Sequence, residues 1–310
     1  MGHSVSEPGV SEPGLLAARV STALDAAMAE PVRAFAGKLA QDAGALAVLF
    51  YGSNLRTGEL EGVLDFYVLL PGPRESGIWP RVSYHEWDHD GRVLRAKVAT
   101  MALATFAAAA SGDLLDTTIW ARFVQPCALA WSRDDTARAQ VLDAITGAIV
   151  TAARLAVALG PDRGAPEDYW RALFRATYQA EFRVEKPGRE DTILAANPVH
   201  FDGLLPVALD HAGIPFTRDD NVLSPAMPAA ERGAIRRWWA RRRRLGKPYN
   251  LVRLVRATTT FDGAARYAAW KVERHTGVKI ALTPWRERHP LLATPGVLWR
   301  VWRERRRQRV

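Results

Sequence analysis

The chain has 310 residues, enough for one large domain or two, and a hydrophobic content of 48% excludes a disordered polyelectrolyte. Its one cysteine, Cys127, excludes a disulfide framework and a multi-cysteine metal centre. The net charge of +9 is uneven: residues 232–310 carry 22 Lys/Arg against 4 Asp/Glu, so a mildly acidic body ends in a basic tail, a pattern that points to a polyanionic partner.

Residues 1–14 repeat Ser-Glu-Pro-Gly and read as a lead-in without structure of its own. No charged-then-apolar secretory signal is expected there. Leu15 to Ala43 has apolar residues at helical spacing, one or two helices broken near Pro31, with a scaffold role. Ala45 to Tyr51 and Val63 to Leu70 read as strands joined by a turn at Gly52-Ser53 and a polar insert. The second strand carries one acid, Asp65. A buried strand does not hold a carboxylate unless something pairs with it.

Asp90-Gly91 is a hairpin signal between Ile78–Asp90 and a returning strand, Arg92 to Thr100. Arg92, Arg95 and Lys97 on that strand are candidate phosphate ligands. His85, Glu86, Asp88, His89 and Asp90 read mostly as a solvated hairpin tip, with a metal cluster as the lesser alternative. Met101 to Phe123 reads as helix, break, helix, and Ala139 to Leu159 as a further alanine-rich helix. The longest mostly apolar run, near Val98 to Ala110, is too short to span a bilayer.

Pro-Asp-Arg-Gly-Ala-Pro at 161–166 marks a domain boundary. Asp168 to Tyr178 is helical and leads into a charged segment in which Glu181 and Arg183 flank Phe182 and share a face if extended. Asn197 to Pro228, with five prolines and two glycines, reads as loop-rich, with a short ordered lobe as the alternative. The expected division is 1–14 lead-in, 15–160 first domain, 161–231 second lobe and 232–310 basic tail. In the tail Arg253 and Arg256 fall three apart, Asp262 to Thr276 is helical, and Leu298, Val301 and Trp302 follow i, i+3, i+4. Trp with Arg on an amphipathic helix suits an anionic membrane surface first, core packing second and nucleic-acid phosphates last.

The Gly-Ser turn followed twelve residues later by a strand Asp resembles the polymerase-β-like nucleotidyltransferases. There, Gly52 would let the backbone approach a triphosphate, Ser53 would bind a phosphate oxygen, and Asp65 would hold Mg²⁺. The superfamily usually has a second acid two residues on; here that position is Tyr67.

Four segments in order over about residues 48–195 resemble the mitochondrial-type phosphatidate cytidylyltransferases, peripheral CDP-diacylglycerol synthases. They are Tyr51-Gly52-Ser53 with Leu64-Asp65-Phe66; Asp90-Gly91-Arg92-Val93-Leu94-Arg95; Asp113-Leu114-Leu115 with Trp120-Ala121-Arg122-Phe123-Val124-Gln125-Pro126; and Tyr178-Gln179-Ala180-Glu181-Phe182-Arg183 with Arg189-Glu190-Asp191. The departures are Ala96-Lys97 where a Tyr-Gly pair is expected, Ala121 where a Gly precedes the Arg, a short loop after Leu70, and a tail with no counterpart.

The resemblance implies an α+β fold, with a mixed-sheet nucleotidyltransferase domain and a mostly helical C-terminal region. It also implies Mg²⁺-dependent transfer of CMP from CTP to phosphatidate, giving CDP-diacylglycerol and pyrophosphate, on the cytoplasmic face of the membrane. The implied catalytic residues are Asp65, Arg92, Lys97 and Arg183. Gly52, Ser53, Arg95 and Arg122 would bind the nucleotide, and Asp65 would be joined on the metal by Asp90 or Glu181. A nucleotidyltransferase with a soluble or protein acceptor, and a non-catalytic nucleotide- or nucleic-acid-binding module, stay open as alternatives.

Overall fold

The computed structural model describes residues 14–77, 80–114, 116–180, 189–260 and 262–285, together with Gly296, Trp299, Trp302 and Arg303. Two helices, α1 (Leu15–Leu24) and α2 (Glu30–Ala43), precede the sheet. Pro31 lies in the first turn of α2, where its missing N–H costs nothing, so it starts the second helix and the break falls before it.

The sheet has five strands in the order β3-β4-β2-β1-β5. They are β1 (Ala47–Tyr51), β2 (Leu64–Leu70), β3 (Arg81–His89), β4 (Arg92–Ala102) and β5 (Cys127–Ser132). β2 and β4 run parallel and the other neighbours antiparallel, so the sheet is mixed. A short helix, α3 (Ser53–Thr57), follows β1 directly. The β3–β4 hairpin turns at Asp90-Gly91 as its sequence requires, with Asp90 at φ 52° and Gly91 at φ 78°.

Side chains alternate across the strands. Val48, Phe50, Phe66, Val68, Leu94, Ala96 and Val98 form one buried face under Val32, Phe35 and Leu39 of α2. Ala47, Leu49, Tyr67, Leu69 and Met101 form the other. That second face is covered by α4 (Leu103–Ala110), α5 (Thr118–Phe123) and the 25-residue α6 (Asp135–Leu159). Asp134 caps α6 by accepting the Ala137 N–H at 2.7 Å. Among the described residues α6 is the one straight helix long and apolar enough to cross a membrane, and it is largely buried in the core.

The chain continues through α7 (Pro166–Ala180), α8 (Arg189–Ala196), α9 (Pro198–Phe201), α10 (Leu204–His211) and a hairpin of β6 (Phe216–Asp219) and β7 (Val222–Pro225). It then forms α11 (Ala229–Thr260) and α12 (Ala264–Thr276). The fold is therefore α+β, mostly helical after residue 135. One buried cluster joins Leu16, Tyr67 and Ile149 to Tyr169, Leu205, Leu223 and Trp239, so a single core runs across position 160. The stretch 197–228, loop-rich by its prolines or a short ordered lobe, is the ordered one: it contains α9, α10 and the hairpin. Pro198 starts a helix and Pro225 ends an edge strand, positions where proline is tolerated.

Candidate active site

Three adjacent strands bring three residues into line. Tyr51 pairs in register with Asp65, and Asp65 with Lys97. All three lie on the sheet face opposite α2, since their neighbours Phe50, Phe66 and Ala96 point into the α2 layer. Strand spacing sets Asp65 and Lys97 about 5 Å apart at the backbone.

At the end of β1 the chain turns through Gly52 at φ 94°, a conformation side chains rarely adopt. A Cβ on Gly52 would lie 3.2 Å from Asp65 Oδ2. The bare backbone thus passes against the carboxylate, and α3 begins at Ser53, whose hydroxyl is exposed. Asn54 fixes the following loop by donating from Nδ2 to the carbonyls of Glu59 at 2.9 Å and Glu61 at 3.1 Å.

The fourth member comes from α5. Arg122 donates from Nη1 to the Tyr51 hydroxyl at 2.7 Å. Its guanidinium carbon lies 4.9 Å from the Tyr51 ring centre and 5.8 Å from that of Tyr67. Burial works against the charge of Arg122, but Tyr51, Tyr67 and Asp65 more than offset it, leaving it more basic than an ordinary arginine. Burial pushes Asp65 above the usual carboxylate range, against the pull of Lys97 and Arg122.

These residues line a cavity of about 890 Å³. Gly52, Ser53, Asp65, Lys97 and Arg122, singled out in the sequence, meet there with Tyr51. Arg56 on α3 adds a third cation that sequence reasoning missed. The far wall was also missed: Ala23 from α1, Tyr178 from α7, Thr192 and Ile193 from α8, and Asn197 and His200 around α9. The His200 Nε2 sits 2.8 Å from the Val124 carbonyl, so Nε2 carries a proton, and burial holds the ring below the usual histidine range. Among the described lining residues Asp65 is the one carboxylate beside three Lys/Arg side chains. Such a cavity favours an anion with several charges.

Other expected site residues lie elsewhere. Asp90 is at the hairpin tip with its side chain 94% exposed, 3.8 Å from His89. Arg92, also exposed, is five residues before Lys97 on an extended strand, roughly 17 Å away. Neither therefore shares the cavity with Asp65. Arg95 faces the same way as Lys97, but its Nε bonds Glu86 at 3.2 Å and its guanidinium lies 5.6 Å from the Trp270 ring of α12. It serves to hold α12 on the hairpin. Glu181 and Arg183 lie outside the described residues. The His85–Asp90 stretch forms no metal cluster, and no group of three His, Cys, Asp or Glu suited to a metal occurs among the described residues.

Mg²⁺ commonly takes one or two carboxylates and completes its shell with water and substrate phosphates. A single half-buried Asp65 beside the bare Gly52 backbone, in a cavity with three Lys/Arg side chains, fits an ion that arrives with a nucleotide. It does not fit a site assembled from protein ligands alone.

The raised pKa of Asp65 has a consequence for stability. A carboxyl whose folded value lies above its unfolded value stabilises the fold while protonated. That contribution is present below the ordinary carboxylate range and is lost as pH rises through the folded value. Asp65→Asn is therefore expected to raise Tm at pH 7 by a few degrees, and the gain should disappear near pH 3. Thermal melts of both proteins at the two pH values check this; an Asn variant less stable at pH 7 contradicts it.

No family model matches the chain, and no curated protein matches it.

Proposed function

We propose that the chain is a nucleotidyltransferase that transfers CMP from CTP to phosphatidate, giving CDP-diacylglycerol and pyrophosphate, at the cytoplasmic face of a membrane. One observation carries the reading: a glycine turn held against a half-buried strand Asp, with Lys97 and Arg122 beside that Asp in one cavity. The choice of CTP and phosphatidate rests on the sequence resemblance, and so does the assignment to a polymerase-β-like nucleotidyltransferase fold.

Attack of a phosphate monoester on a triphosphate brings two anions together, so the barrier is largely electrostatic. Asp65 would hold Mg²⁺, which when bound supplies charge neutralisation across the triphosphate. The bare Gly52 backbone and the Ser53 hydroxyl accept the phosphates closely. Lys97 and Arg122 offset the charge that gathers on the bridging oxygen. Arg122 is held by Tyr51 and the Tyr67 ring before any ligand binds, so little reorganisation remains for the reaction.

The experiment that tests the reading follows labelled cytidine from CTP. Label in an organic-extractable CDP-lipid, made only with vesicles containing phosphatidate, supports it. Label on a water-soluble acceptor instead assigns the enzyme a soluble substrate, and nucleotide binding without transfer makes it a binding module.

Membrane attachment has its own test. Arg237, Arg241 and Arg244 are exposed on one side of α11, beside exposed Leu245. Near an anionic surface each cation contributes on the order of 1 kcal/mol. Changing all three to Glu is expected to weaken sedimentation with phosphatidylserine vesicles by about a hundredfold or more, while neutral vesicles show no difference. Unchanged sedimentation removes this face from the membrane account.

A further inference from the structure

Beside the polar cavity lies a second one of about 330 Å³, between α1, α6 and α10. Its depth is apolar: Val20, Leu24, Phe123, Ile145, Ile149 and Leu204. The two cavities share Ala23, Gln125, Cys127, Val199 and His200, so they meet along a common wall. An open cleft lined by apolar side chains leaves that surface in water unless a ligand covers it. Its volume falls in the range of small-molecule sites, roughly 300–1,000 Å³.

The mouth has a particular composition. Val199, which lines both cavities, is 85% exposed. Arg19 bridges the opening, donating from Nη2 to the carbonyls of His200 at 2.7 Å and Asp202 at 2.6 Å. An exposed apolar side chain and one arginine thus border an apolar cleft. That cleft adjoins a cavity whose Lys97 and Arg122 suit a phosphate.

We infer that this cleft takes an acyl chain of the acceptor lipid, entering past Val199 while the lipid's phosphate monoester lies toward Lys97 and Arg122. The inference rests on the reading of the polar cavity as the phosphate-transfer site. It gives α1 a substrate-binding role. It also places the lipid's entry at the α1–α9 surface.

The test uses the full chain and phosphatidylcholine vesicles containing phosphatidate with a diazirine in one acyl chain. After irradiation, the labelled peptides are mapped. Labelling is expected in 15–24, 145–149 and 199–204, several-fold above that from a diazirine phosphatidylcholine or the matching free fatty acid. Equal labelling by the free fatty acid overturns the headgroup-directed placement, and labelling confined to the tail overturns the cleft. Filling the cleft gives a second reading. Val20→Phe, or Ile149→Phe should the first fail to fold, is expected to cut labelling at least tenfold while CTP binding stays unchanged. Unchanged labelling in a folded variant contradicts the proposal. CMP transfer, assayed in parallel, separates the two claims: transfer without cleft labelling sinks the cleft alone, and cleft labelling without transfer sinks the reaction alone.

Discussion

Asp65→Asn is expected to slow pyrophosphate release from CTP by about a thousandfold, equivalent to about 4 kcal/mol of transition-state stabilisation. The substitution keeps the size and one acceptor oxygen but removes the one carboxylate among the described residues of the cavity. It leaves Lys97 and Arg122 with no anion between them, so CTP itself should still bind. The expected signature is a collapse of kcat with a modest change in nucleotide affinity. Loss of activity should accompany the gain in thermal stability predicted for the same variant. That opposition separates removal of a functional charge from damage to the fold. Activity within tenfold of the parent means that Asp65 is not the metal ligand.

Gly52→Ala is expected to lower activity by about a hundredfold and stability by more than 1 kcal/mol. Two effects act together. The backbone at φ 94° strains any residue with a Cβ, and the added carbon lies 3.2 Å from Asp65 Oδ2. The carboxylate must shift, or the turn must open, and either change misplaces the metal ligand relative to the phosphates. Denaturant melts and steady-state kinetics check the two effects separately. An Ala variant with full activity means that the turn does not set the position of the carboxylate.

Much of the sheet was legible because its signals are local. Asp90-Gly91 forces a hairpin, and the apolar runs ending at Tyr51 and Leu70 have no helical period. Asp65 stood out because an acid within a buried run demands a partner. Its actual neighbour, Lys97, depends on the parallel register of β2 on β4, a pairing between distant segments that no local pattern encodes. Arg92 and Arg95 resembled Lys97 in the sequence for the same reason. Two residues along a strand keep the direction and five reverse it, but only the register says which cation meets the acid. Arg122 was singled out by resemblance, whereas its support by Tyr51 and Tyr67 comes from packing of α5 on the sheet.

β5 was not anticipated. Cys127 to Ser132 is short and follows a proline, and its strand character comes from pairing with β1. Leu15 to Leu24 read as scaffold, yet Ala23 lines both cavities. Small residues leave little mark in a sequence when their role is to leave room.

The most direct measurement is pyrophosphate release from CTP and Mg²⁺ by the intact chain, with and without phosphatidate in otherwise identical vesicles. The account predicts release that rises with phosphatidate and stays near background with phosphatidylcholine alone. Release independent of phosphatidate, or none under either condition while CTP is bound, contradicts transfer to this lipid.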